Sequence, residues 1–273
     1  MKPIERLFER GGLPSCGLPP TLAATYGGDF GLARPGLFAN FVSSADGVVA
    51  LAAAGGESGG VISGNSEPDR FVMALLRACA DAILIGAGTF RKASGDLWRA
   101  ENAYPAAGRL FVDLRRQLGL RPHPLLVIVT ASGHLDCSQP ALRDALIVTT
   151  PAGEAQLRGA LPAGARVAVI DSRPIRGRSL TALLAAEKLQ VVVTEGGPTL
   201  VGQLCQEGLV DELFLTTSPR LFGRKANDGR KSLIEGHDLA GHALALLSVR
   251  RHESHLFLRY SLRASTTRAS TPP

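Results

Sequence analysis

Three short segments of this chain bring together residue types whose spacing could do chemistry. In VVVTEGGPTL, residues 191–200, a strand-forming run stops on Glu195, Gly196 and Gly197, and a helix-start signal follows. The first N–H groups of a helix have no intrahelical partners, and the helix dipole favours an anion there. Pro198 suits the first helical position because its missing N–H would have no partner anyway, and Thr199 adds a hydroxyl donor. The chemistry on offer is phosphate binding. The plainer use of the same residues is a tight strand-to-helix turn.

A second turn of this kind lies in ADAILIGAGTFR, residues 80–91. A buried strand ends at Gly86, Gly88 and Thr89 allow a ligand to approach the backbone, and Arg91 is placed to reach back as a charged clamp. A Rossmann fingerprint is not completed: Arg91 stands where the third glycine belongs, and no acidic residue ends a second strand about 20 residues on. The third segment is ANFVSSADGVVA, residues 39–50, a strand ending in Ser43, Ser44 and Asp46 before Gly47. An Asp-Gly turn needs no function. Its functional reading puts Asp46 at a pocket rim, with a carboxylate free to bind the N–H groups of a pyrimidine-like heterocycle. The glycine-dense GGESGGVISG, residues 55–64, is expected to form a mobile flap over that pocket, with Ser58 as a candidate substrate contact.

These segments need a scaffold, and the periodicity supplies one. Strands are expected over 37–42, 82–85, 125–129, 145–149, 166–170 and 191–193. Helices are expected at 66–80, 154–161, 179–188 and 199–207. The helix at 66–80 is the clearest: Ser66 is a good N-cap, Glu67 and Asp69 sit in its first turn, and Val72, Leu75, Leu76 and Cys79 form one apolar stripe. Strands at 211–217, 243–252 and 255–262 follow without a strong helix between them, the last two joined at Glu253-Ser254. The pattern predicts an α/β fold with a mixed, mainly parallel sheet, helices on both faces and an antiparallel C-terminal hairpin. Residues 1–35 read as a loosely structured leader, 36–262 as one domain, and 263–273, rich in Ser, Thr and Pro, as a disordered tail.

Bulk properties narrow the function classes. At 273 residues with 45% hydrophobic content, the chain has material for a sizeable core. No run approaches the roughly 18 apolar residues of a membrane span, and the N-terminus lacks a signal-peptide pattern, so a cytoplasmic protein without membrane partners is expected. The net charge of +6 is spread along the chain, aromatic residues are only 5%, and no nucleic-acid motif accompanies them. Steering of an anionic cofactor explains the basic balance better than nucleic acid does. The four scattered cysteines contain no C-x-x-C pair, which argues for free thiols and against a metal site.

Taken together, SSADG, DRFVMALLRACADAILIGAGTFR and VVVTEGGPTLVGQLCQEGLVDELFLTTSPRLFG resemble, in order and spacing, the reductase domain of bacterial riboflavin biosynthesis. The resemblance runs from about residue 37 to 262. It implies a dihydrofolate-reductase-like three-layer domain, an NADPH-dependent reductase acting on a small pyrimidine-type molecule, and a homodimer. It further implies that Gly86, Gly88 and Thr89 meet the ribose and pyrophosphate of the cofactor, and that Gly196, Gly197, Pro198, Thr199 and Leu200 form a second pyrophosphate turn. Ser43 would lie near the nicotinamide, and Thr130 to Ser132 near the adenosine 2′-phosphate. Glu195 would contact substrate and Asp46 would be the active-site aspartate; the plainer role for Glu195 is a structural acceptor. The chain departs from the family where Arg91-Lys92-Ala93-Ser94-Gly95-Asp96 replaces an Asp-Asp-Pro sequence, and where Glu67-Pro68-Asp69-Arg70 replaces a phosphate-gripping arginine. A dihydropteridine is the alternative substrate, because it shares the donor edge of an aminopyrimidine. A cofactor-binding protein without turnover is the alternative outside enzymes.

Overall fold

The apolar runs of the chain become the inner strands of one ten-stranded sheet. The computed structural model describes residues 1–51, 58–93 and 95–263. In chain order it begins with β1 (Glu5–Glu9), α1 (Pro20–Tyr26), β2 (Gly36–Ser44), α2 (Ser58–Ser63), α3 (Glu67–Cys79), β3 (Ala82–Gly86) and α4 (Ala87–Lys92). Next come α5 (Ala100–Ala103), α6 (Gly108–Gln117), β4 (Leu125–Thr130), β5 (Leu146–Thr149), α7 (Pro151–Leu157) and β6 (Arg166–Val169). The chain continues through α8 (Gly177–Ala186), β7 (Val191–Thr194), α9 (Pro198–Gln206), β8 (Glu212–Ser218), β9 (Ala245–His252) and β10 (His255–Ser261).

The strand order is β1-β9-β10-β8-β2-β7-β3-β4-β5-β6. From β8 to β6 every neighbouring pair is parallel, while β10, β9 and β1 are joined antiparallel. All four residues of β7 are buried, as expected of a central strand covered on both faces. Successive residues of β2 alternate between two cores: Phe38 packs with α3 and α6, whereas Leu37 and Ala39 pack with α8 and α9. The expected three-layer α/β arrangement and its C-terminal hairpin are present.

The N-terminal segment departs from the loosely structured leader expected over 1–35. Residues 5–9 form edge strand β1 on β9, and α1 buries Leu22 and Tyr26 in the same core as Ile4, Phe30 and Phe214. Arg250 of β9 fastens this segment: it stacks over the Tyr26 ring at 3.9 Å, donates to the Tyr26 carbonyl at 3.1 Å and pairs with Glu9. A five-residue strand has too short a pattern to show in local periodicity, and its partner lies some 240 residues away in the chain. Helices α4, α5 and α6 were likewise not expected, and α7 begins earlier, at Pro151, because Thr150 caps it by accepting from the Gly153 N–H. Part of the glycine-dense stretch and the expected tail from residue 264 fall outside the described residues; Ser58–Ser63 is helical.

Helix α3 carries much of the site and is closed at its C-terminus by Arg115 of α6. The buried guanidinium donates to the carbonyls of Arg77, Ala78 and Ala80 at 2.8–3.1 Å, and to those of Arg121 and Pro122 at 2.8 and 3.1 Å. These bonds satisfy orphan carbonyls of the last turn. Burial pulls its pKa down to about 10. Arg115→Ala is expected to lower the unfolding free energy by about 3 kcal/mol, because buried acceptors lose a charged donor. Urea denaturation measures the change, and Arg115→Lys, with fewer donors, recovers only part of it.

Candidate active site

A cleft of about 640 Å³ opens where the parallel strands end, walled by β2, α2, α3, the α4 region and the start of α9. Ligands of open parallel sheets bind at this carboxyl edge. Helix α3 presents Asp69, Met73 and Arg77 to the cleft, at i, i+4 and i+8 on one helical face.

Arg77 is 2% exposed and joins two carboxylates. It donates to both oxygens of Glu195, at 2.9 and 2.7 Å, and to both of Asp96, at 3.4 and 2.9 Å. It also donates to the Arg99 carbonyl at 3.3 Å. Burial alone would lower the guanidinium pKa, but Glu195 and then Asp96 outweigh it and raise the value above the ordinary one. Asp96 also accepts the Trp98 N–H at 2.8 Å, which holds this bulky residue at φ 50, a left-handed conformation that such residues rarely adopt. The Trp98 ring stacks on Phe90 at 5.8 Å and lines the cleft.

The two glycine turns meet at one end of the cleft, joined by the Gly197 N–H donating to the Thr89 hydroxyl at 2.9 Å. A Cβ at Gly86 or Gly88 would face open space, so these glycines leave room that no protein atom fills. Gly196 is different, because a Cβ there would lie 2.5 Å from the Ile85 backbone. Its role is close packing of β7 against β3. The glycine N–H groups at the second turn are not free as expected: Gly196 donates to the Thr194 hydroxyl at 3.4 Å and Gly197 to Thr89. The available first-turn donors shift to Thr199 and Leu200, at the start of a nine-residue helix.

The remaining expected residues are distributed unevenly. Ser58 and Glu195 line the cleft; Ser58 accepts the Leu51 N–H at 3.0 Å, and Glu195 accepts from Arg77, which is a structural-acceptor role within the cleft wall. Asp46 is outside the lining, and its carboxylate is not free. It accepts from the Ser44 hydroxyl at 2.5 Å and from the Gly223 and Phe222 N–H groups at 2.6 and 3.2 Å, which hold its pKa below the usual range. An exposed turn of this kind stabilises the loop after β8. Ser43 is buried, and its hydroxyl donates to the Ser44 carbonyl at 2.8 Å. Arg91 does not reach back to its own turn: it donates to the His134 carbonyl at 3.2 Å, beside exposed Ser132. Thr130 is buried and accepts the Gly133 N–H at 3.1 Å.

Asp69, read in the sequence only as a first-turn helix residue, lies in the cleft wall. Burial pushes its pKa up to about 6, and the Glu195 charge adds to that rise; Thr216, His255 and Arg70 act the other way. Arg77, Asp96 and Trp98 were also missed as site residues. The legible signal for two of them was the charged pair Asp69 and Arg77, eight residues apart on one face of a helix and beside the apolar stripe of Val72, Leu75, Leu76 and Cys79.

Fold and cleft together define an α/β domain with a polar-walled cleft at the carboxyl edge of its sheet. Residues 35–257 match the model of the RibD C-terminal domain, and the chain belongs to that family. This is the family to which the SSADG, GAGT and TEGGPTL segments pointed. A relative from Archaeoglobus fulgidus, 2,5-diamino-6-ribosylamino-4(3H)-pyrimidinone 5′-phosphate reductase, is 27% identical over 194 residues, covering 70% of this chain and 83% of that protein. Among solved structures, a pyrimidine reductase-like protein from Corynebacterium diphtheriae aligns over 90% of this chain and 95% of its own, with TM-score 0.64 and 22% identity. The Saccharomyces cerevisiae riboflavin biosynthesis reductase Rib7 aligns over 89% and 98%, with TM-score 0.55 and 15% identity. At these identities the two structures establish the shared fold.

Replacing Arg77 by Met strands two carboxylates in the cleft wall and is expected to destabilise the protein by about 3–5 kcal/mol. Adding Glu195→Gln and Asp96→Asn removes the stranded charges and restores most of the loss. Denaturation of the single and triple variants measures both.

Proposed function

We propose that this chain is an NADPH-dependent reductase that passes hydride to a C=N or C=O carbon of a pyrimidine-type substrate, as a 5-amino-6-(5-phosphoribosylamino)uracil reductase does. One observation carries the reading: the hydrogen-bonded pair of glycine turns opens into the same cleft as the polar wall of Asn40, Asp69 and the Arg77–Glu195 pair. The pyrimidinone reductase from Archaeoglobus fulgidus supports the substrate class. NADPH, when bound, supplies the hydride.

The protein's contribution is placement and electrostatics. The open space before Gly86 and Gly88 fits a cofactor backbone, and the first-turn N–H groups of α9 suit its pyrophosphate. Arg91 and Ser132 supply donors for the adenosine 2′-phosphate. Arg70 and Lys92 line the cleft outside the carboxylate–arginine network and offer positive charge to a phosphorylated substrate. This arrangement replaces the family's phosphate-gripping arginine with cations at other positions. The reading extends to a homodimer in the cytoplasm. Edge strand β1 leaves Leu7 and Phe8 50% and 45% exposed, and the four cysteines are free thiols. Among the described residues no helix is long and apolar enough to cross a membrane.

Loss of 340 nm absorbance from NADPH with the deaminated ribosylaminopyrimidine is the expected result. Turnover of dihydrofolate alone would replace the substrate with a dihydropteridine, and NADPH binding without either turnover would support a binding protein. Arg91→Ala is expected to weaken NADPH about tenfold while leaving NADH unchanged, because only NADPH carries the 2′-phosphate. Fluorescence titration with the two nucleotides distinguishes them.

A further inference from the structure

Hydride addition to a C=N or C=O carbon leaves the heteroatom holding an electron pair, so the reduction proposed above needs a proton from the cleft. The carboxyl groups that line the cleft are Asp69, Asp96 and Glu195. Asp96 and Glu195 are both paired with Arg77. The lining hydroxyls are far weaker acids than a carboxyl: Ser63 donates to the Gly60 carbonyl, and Ser58 and Thr89 accept from the Leu51 and Gly197 N–H groups. Asp69 is the one lining carboxyl without an ion pair among the described residues.

Its position is well defined. The Asp69 N–H donates to the N-cap hydroxyl of Ser66, which seats the residue in the first turn of α3. From there the side chain shares the helical face of Met73 and Arg77, in the cleft that also contains Thr89 and Gly197. The polar and charged groups facing it are Thr216 of β8, His255 of β10, Glu195 after β7, and Arg70 on its own helix. His255 is itself fastened by a 2.9 Å contact between Nε2 and the Ser63 carbonyl.

We propose that Asp69 is the catalytic acid: its carboxyl O–H transfers a proton to the nitrogen or oxygen of the C=X bond as hydride from NADPH reaches the carbon. The C=X π bond becomes a C–H and an X–H bond, NADPH leaves as NADP⁺, and the Asp69 carboxylate regains its proton from water in the open cleft. The assignment rests on the reductase reading. A pKa raised to about 6 by burial fits a group that must be protonated to act. Activity is therefore full below that value and declines as pH rises through it.

The test compares the wild type, Asp69→Asn and Asp69→Glu in single-turnover NADPH oxidation across about pH 5.5 to 8.5, with the NADPH Kd measured alongside. Asp69→Asn is expected to lower the hydride-transfer rate by about a hundredfold or more and to flatten its pH profile. NADPH affinity should be unchanged, which also reports that the variant is folded. Asp69→Glu should keep part of the rate and a displaced pH limb. An Asp69→Asn rate within about threefold of wild type overturns the proposal while leaving the reductase reading intact. A loss confined to KM with the pH limb retained also overturns it, making Asp69 a substrate anchor. A wild type that oxidises no NADPH with either candidate substrate overturns the reduction itself and its acid together.

Discussion

The cleft depends on one buried cation. Arg77 leaves α3, the end of β7 and the loop before α5 with a shared electrostatic centre, because its guanidinium can satisfy Glu195, Asp96 and the Arg99 carbonyl simultaneously. Two carboxylates brought this close would repel each other without it, and the cation would be costly to bury without them. The planar, five-donor geometry of arginine is what allows three separate segments to be held by one group. Lysine, as a compact point charge, would not span them.

From that centre the rest of the site follows. Asp96, oriented by Arg77, holds Trp98 in its left-handed conformation against Phe90, and so shapes one wall. Glu195, oriented from the other side, sits immediately before the Gly196–Gly197 turn, whose N–H meets Thr89 of the first turn. The two glycine turns and the polar wall of the cleft are therefore built on the same frame. The acid–base character of the cleft comes from the contrast between its carboxyls: two have a cation, and Asp69 has burial with a nearby like charge.

The outer strands show how distant segments complete the domain. Arg250 stacks on Tyr26 and pairs with Glu9, and Arg259 of β10 pairs with Glu212 of β8 at 2.6 Å while donating to the Gly31 carbonyl. Arg250 and Arg259 both lie where sheet and N-terminal segment meet. Each pair sums to zero, so the net charge of +6 resides on other residues of the chain.

What the sequence determined by itself was local: the buried runs at Ala82–Ile85 and Val191–Val193, the capped helix after Ser66, the two glycine turns and the final hairpin. These rest on propensity, period and capping, which act within a few residues. Tertiary structure decided which polar groups were already taken. Asp46 was conspicuous in its Asp-Gly turn, yet Ser44, Phe222 and Gly223 occupy its carboxylate. Asp69 was inconspicuous beside its N-cap, yet it faces the cleft with no ion pair among the described residues. Strand β1 waited on a partner about 240 residues away, and Arg77 on carboxylates 19 and 118 residues away. A carboxylate's chemistry is set by burial and neighbouring charge, and those neighbours come from segments that only folding brings together.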